Sequence, residues 1–159
     1  MADIRLTDDD DTYVQSEANK GNWENYFGLT GNDYIKLYQG TVIGGFGNDK
    51  IERIPVSGEA WRTVGVAYWG SPKAVRVDLQ AGIAEDGYGT FDTLIGVDVA
   101  HGTGYDDWFN GNANDNFFWP NGGKDTITGG FGFDGVGLGW FEPAPGVPWR
   151  QIRMDELDI

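Results

Sequence analysis

At 159 residues and a net charge of −14, the chain is sized for one domain, and nucleic acid and anionic membrane surfaces are excluded as partners. It has no cysteine, which excludes disulfides and thiol chemistry, and its seven Trp, seven Tyr and nine Phe exclude a disordered acidic tail. The 18 Asp outnumber the 7 Glu, a bias that suits short-armed oxygen ligands better than a solvated helix surface.

Residues 1–27 open with Ile4-Arg5-Leu6 and the acidic run Asp8-Asp9-Asp10-Asp11, followed by Thr12-Tyr13-Val14. Asp11 with its apolar successor reads either as a degenerate repeat or as a frayed acidic terminus. Ala2 to Val14 has no apolar stretch of the kind a classical signal peptide needs. Asn19 to Glu24 is polar and predicts a loop.

Residues 28–52 contain two nonapeptides, Gly28-Leu-Thr-Gly-Asn-Asp-Tyr-Ile-Lys36 and Gly44-Gly-Phe-Gly-Asn-Asp-Lys-Ile-Glu52. Each runs through glycines to an acid, then to a large apolar residue two positions on. Asp33 and Asp49 lie 16 residues apart, near the 18 that two nonapeptides span, so they are expected to stack with Val42 in the strand between them. No Gly-Lys-Ser/Thr follows either glycine run, so a phosphate loop is excluded.

Residues 53–101 leave the nonapeptide period. Val64, Val66 and Tyr68 alternate, as do Val75, Val77 and Leu79, and both series predict half-buried strands. Gly70-Ser71-Pro72 predicts a turn between them. Thr90-Phe91-Asp92-Thr93-Leu94 resembles a repeat with one extra residue, which makes Asp92 a further candidate ligand.

Residues 102–137 are four nonapeptides without a gap: GTGYDDWFN, GNANDNFFW, PNGGKDTIT and GGFGFDGVG. Position six holds Asp107, Asn116, Asp125 and Asp134, and position eight holds Phe109, Phe118, Ile127 and Val136. Glycine permits positive φ and lets the loop carbonyls turn to one side. The last three residues of each unit suit a short strand whose central side chain points inward. Loops on one side then recur every second unit. Asp107 is expected over Asp125, and Asn116 over Asp134, about 4.8 Å apart. Carboxylates that close repel unless a cation lies between them, and calcium accepts such a loose set of oxygens where magnesium does not. An antiparallel meander turning at Asn110-Gly111 and Asn121-Gly122 is the alternative. It explains the glycines but not the acid two residues before each apolar position.

These units resemble the hemolysin-type calcium-binding (RTX) nonapeptide-repeat family. The resemblance is strongest at 28–52 and 102–137. It implies one all-β domain over 1–159, a right-handed parallel β-roll (a β-solenoid) with Ca2+ in the edge loops. Residues 1–27 would be a degenerate first layer, and 53–101 the irregular layers that often interrupt such repeats. The implied metal residues are Asp11, Gly31, Asp33, Gly45, Gly47, Asp49, Asp92, Asp107, Asn116, Gly123, Asp125, Gly132 and Asp134. The resemblance further implies a non-catalytic module of a secreted bacterial protein that folds on meeting calcium outside the cell, exported by a type I route. It leaves the parent protein's activity open.

Residues 138–159 leave the period again. Pro143, Pro145 and Pro148 break any regular ladder, and Trp140, Phe141, Trp149 and Ile152 are expected to fold over the open end as a cap. The last five residues, Asp155 to Ile159, are acidic and apolar, as in an uncleaved export signal.

Other chemistry finds little support. His101, the sole histidine, reads as a loop histidine, and with no cysteine zinc is disfavoured. Nothing in the sequence positions Glu52 and Glu59 as an acid pair. Calcium leaves one feature unexplained. Positions seven and nine face outward and carry Trp108, Phe117 and Trp119, with Gly135 and Gly137 beside the last two. These aromatics predict a platform for a polysaccharide or a cell-surface partner, as in an adhesin-like module.

Overall fold

The computed structural model describes residues 3–137 and the backbone of 157–158. Nearly all of its regular structure is strand; one 3-10 turn, Glu17–Asn19, is the exception among the described residues. Strands are numbered in chain order. One sheet holds β1 (Asp3–Arg5), β3 (Asn25–Thr30), β5 (Gly40–Phe46), β7 (Val64–Ala67), β11 (Val99–His101), β13 (Phe117–Trp119) and β15 (Gly135–Val136). All its pairings are parallel, in that order.

The second sheet holds β2 (Thr12–Val14), β4 (Tyr34–Leu37), β6 (Lys50–Arg53), β10 (Phe91–Ile95), β9 (Ile83–Glu85), β8 (Arg76–Asp78), β12 (Trp108–Asn110), β14 (Thr126–Thr128) and β16 (Leu157–Asp158) in spatial order. It is mixed. β9 runs antiparallel to both neighbours, β8 and β10.

The expected single right-handed parallel β-roll is therefore not what the chain forms. The all-β class holds, but the strands make two open sheets, one of them mixed. A uniform roll requires every pair to be parallel and successive strands to change sheet. β8, β9 and β10 are consecutive, lie side by side in one sheet and break both conditions. The cause is local. Asp78 turns the chain after β8, its Oδ1 accepting from Ala81 N–H at 2.9 Å and its carbonyl from Gly82 N–H at 2.8 Å. Gly82 takes the left-handed φ of 71° that the turn needs.

The core lies between the sheets. Successive side chains of a strand point to opposite faces, and the central residue of each three-residue strand enters the interior. Tyr26, Ile35, Val42, Ile51, Val66, Val77, Ala84, Ala100, Phe109, Phe118 and Ile127 join one continuous cluster. The position-eight residues Phe109 and Phe118 meet across it, ring centroids 5.5 Å apart at 50°. The predicted cap, with Trp140, Phe141 and Trp149, lies outside the described residues. Beyond Gly137 only the pairing of β16 with β14 is described.

Candidate functional site: buried acid columns and an aromatic groove

Each strand of the second sheet is entered from a loop, and the loops bring the acids into columns. Asp33 Oδ1 accepts the backbone N–H of Asp11 at 2.8 Å, Asp49 Oδ1 that of Asp33 at 2.9 Å, and Asp92 Oδ1 that of Asp49 at 3.0 Å. One column thus runs Asp11, Asp33, Asp49, Asp92. Beyond the antiparallel β9 a second column begins, where Asp107 Oδ1 accepts from Val75 N–H and Asp125 Oδ1 from Asp107 N–H, both at 2.8 Å. On the opposite edge Asp134 Oδ1 accepts from Asn116 N–H at 2.9 Å.

Glycine makes this stacking possible. Gly31, Gly45, Gly47, Gly123 and Gly132 all have positive φ, from 99° to 131°. At Gly47 a Cβ would run into the carbonyl of Gly31 in the neighbouring loop. The position-one glycines serve the carboxylates. A Cβ on Gly28 would collide with both Asp33 Oδ2 and the Gly44 carbonyl, and one on Gly44 with Asp49 Oδ2. Two oxygens from different loops therefore converge at Gly28.

The acids of the first column are incompletely satisfied. Asp33, Asp49 and Asp92 are buried, and among the described residues Oδ2 of Asp33 and of Asp49 has no hydrogen-bond partner. Burial raises the Asp33 carboxyl above its ordinary value, pushes Asp49 to about 7 and Asp92 to about 8, and neighbouring acids add to each shift. Tyr68 O–H donates to Asp92 Oδ2 at 2.9 Å and satisfies that oxygen. Two carboxylates one strand apart repel by about 3 kcal/mol at an effective dielectric of about 20.

Asp107 is better satisfied. Its carboxylate takes the Thr103 N–H at 2.6 Å and the Thr103 hydroxyl at 2.9 Å, although burial still lifts it to about 6. Asp107 thus differs from Asp33 and Asp49, each of which keeps an oxygen without a partner among the described residues.

Among the described residues no three His, Cys, Asp or Glu side chains converge as a metal cluster. The columns space their acids one strand apart, so a cation here would draw most of its ligands from loop carbonyls. The donor set is all oxygen, and the orphaned Oδ2 atoms with the converging Gly44 carbonyl fit calcium better than zinc.

Two buried acids escaped the repeat pattern. Asp98 enters β11 as Asp134 enters β15, but the apolar position after it is the small Ala100. Its carboxylate pairs with Arg53 at 2.5 Å. Asp86 closes its own turn by accepting from the N–H groups of Tyr88, Gly89 and Thr90. Glu52 and Glu59 form no acid pair: Glu52 binds Lys36, and Glu59 binds Arg62.

The outward face of the parallel sheet carries a groove of about 400 Å³. Its rings are Trp23, Trp69, His101, Phe117 and Trp119, with Asn25, Thr41 and Val99 between them. Register explains the grouping. Val99 and His101 on β11 face Phe117 and Trp119 on β13, and on their other side Gly65 and Ala67 on β7, whose small side chains let the rings converge. Phe117 and Trp119 fold over Gly135 and Gly137, where a Cβ would strike the rings.

His101 is thus not the loop histidine the sequence suggests. It stands in β11, stacked on Trp119 at 6.0 Å and edge-on to Trp69 at 5.3 Å, and burial drops it to about 4, so it is neutral at pH 7. Trp108 lies on the other sheet, under the Arg76 guanidinium at 4.0 Å, and does not join the groove.

The sequence matches no protein-family model and no curated protein. Among the described residues no helix is long and apolar enough to cross a membrane.

Proposed function

We propose that the protein is a non-catalytic calcium-binding module related to the RTX nonapeptide-repeat proteins, one that completes its fold when calcium reaches the acid columns. The observation that carries this reading is the Asp33–Asp49 pair: two buried carboxyls at the entries of neighbouring strands, each with an oxygen that no described residue satisfies. Ionised in that state, each carboxylate costs several kcal/mol. A divalent cation would remove the repulsion and occupy the free lone pairs. Asp33, Asp49 and the Gly44 carbonyl are the first ligands assigned, with the loops at Gly31, Gly45 and Gly47 offering further carbonyls.

Secretion from a bacterium by a type I route belongs to the same reading. Calcium outside a cell reaches the range in which extracellular modules bind, roughly 10⁻⁴ to 10⁻³ M, so the charge would keep the chain open before export and calcium would close it afterwards. Calorimetric titration tests the proposal. Calcium should bind with a dissociation constant in that range while magnesium at equal concentration gives no heat. Equal binding of the two ions, or of neither, rejects it.

A second reading, of a calcium-dependent module that engages a polysaccharide or cell-surface partner through outward aromatics, is favoured by the groove that gathers Phe117 and Trp119 with three further rings.

A further inference from the structure

We propose that the groove on the parallel sheet is a binding site for an uncharged polysaccharide chain, with Trp69 and Trp119 as its aromatic contacts on either side of His101. The proposal rests on the second reading above and names the ligand class of that groove.

Three observations carry it. First, three rings adjoin in the groove: His101 lies parallel to Trp119 at 6.0 Å and 6°, and edge-on to Trp69 at 5.3 Å and 84°, so Trp69 turns its face at right angles to the other two. The His101–Trp119 step joins neighbouring strands and is close to the length of one pyranose unit in a linear chain. The faces of a pyranose carry C–H groups that suit the electron-rich face of an aromatic ring. Trp69 is 45% exposed and Trp23 38% exposed, so ring surface is open to a ligand.

Second, among the described residues the lining holds no charged group. His101 is the single titratable residue in it, and burial keeps it neutral. In a chain of net charge −14 an uncharged groove is a selection: the surrounding field repels uronic acids and sulfated sugars, and the groove offers them no cation. A neutral sugar meets no such barrier.

Third, polar groups sit where hydroxyls need partners. No described residue hydrogen-bonds to the His101 ring nitrogens, so the neutral imidazole keeps one donor and one acceptor. Asn25 donates Nδ2 to Asp3 at 3.1 Å, and no described residue donates to its side-chain oxygen. A volume of about 400 Å³ suits a short stretch of oligosaccharide.

The test is affinity electrophoresis through gels containing hydroxyethylcellulose, xyloglucan or galactomannan, with alginate and polygalacturonate as acidic counterparts. Intrinsic tryptophan fluorescence with cellohexaose and mannohexaose runs alongside. At least one neutral polymer is expected to retard the wild-type protein, and the matching oligosaccharide to shift its fluorescence. Trp69→Ala should weaken retardation at least tenfold, while Trp108→Ala on the other sheet should stay within twofold of wild type. The wild-type measurements decide the question even if a variant fails to fold.

Retardation by the acidic polymers alone, lost in Trp69→Ala, overturns the uncharged ligand but leaves the surface-binding reading standing. No response to any saccharide overturns both. A dimer in sedimentation whose fluorescence ignores every saccharide also overturns the proposal, because a second copy would then fill the groove.

Discussion

Asp49 is the residue on which the calcium reading is most exposed to test. Its Oδ1 holds the backbone of Asp33, its Oδ2 is orphaned against Gly44, and burial raises it to about 7. Asp49→Asn keeps the shape and the acceptor but removes the charge. In chelator at pH 8 this variant should melt higher than wild type, because a desolvated charge is gone. With saturating calcium the order should reverse, since a charged ligand is gone too. Asp8→Ala, at an exposed position, should alter neither melt. An Asp49→Asn protein that gains as much from calcium as wild type would remove Asp49 from the site. Gly47 offers a test independent of metal. With φ of 131° and the Gly31 carbonyl where a Cβ would go, Gly47→Ala should cost about 1–3 kcal/mol in urea unfolding, against a few tenths for Gly21→Ala, which has open space.

At the scale of the element, strands three residues long are held by what their central side chains bury. Phe118 is wholly buried and packs on Phe109, so Phe118→Ala should cost about 3–5 kcal/mol in urea unfolding. Thr126, at position seven of its unit and outward on β14, should tolerate Ala within about 0.5 kcal/mol. The regular units were legible in advance because their period fixes both burial and neighbour. Position eight is buried at Ile35, Ile51, Phe109, Phe118 and Ile127, and the expected stackings of Asp33 with Asp49, Asp107 with Asp125 and Asn116 with Asp134 are present. The antiparallel β9 was not legible. Its turn is set by Asp78 and Gly82 outside any repeat, and a three-residue strand gives too short an alternation to reveal direction. The groove escaped for a related reason. Trp23, Trp69 and His101 come together only when β3, β7 and β11 are known to share a sheet, and the irregular residues 53–101 hide that order. Asp98 was missed because Ala100 replaces the large apolar residue that marks a unit.

At the scale of the whole molecule, the acid columns make stability a function of pH and of calcium together. Without metal, the folded state holds protons on Asp107, Asp49 and Asp92 up to about pH 6, 7 and 8, whereas an unfolded Asp releases its proton near pH 3.9. The folded state therefore binds more protons, and its stability falls as pH rises through that window. His101 acts the other way, since burial lowers it to about 4 and its contribution rises up to about pH 6.5. The range above pH 6.5 isolates Asp49 and Asp92: in chelator the melting temperature should fall from pH 6.5 to 8.5 and then level off. Saturating calcium should flatten that slope, because the cation binds the ionised acids that protons would otherwise neutralise. Ligand that binds only the folded form adds stability by mass action. The most direct measurement is the thermal melt followed by far-UV circular dichroism at pH 8, in excess chelator and in 10-fold steps of calcium up to about 10⁻² M, an order above the range typical of extracellular sites. The account predicts little strand signal or a low melting point in chelator, and a melting point that climbs with each step of calcium but not of magnesium. An identical strand signal and melting point in chelator and in calcium would contradict it.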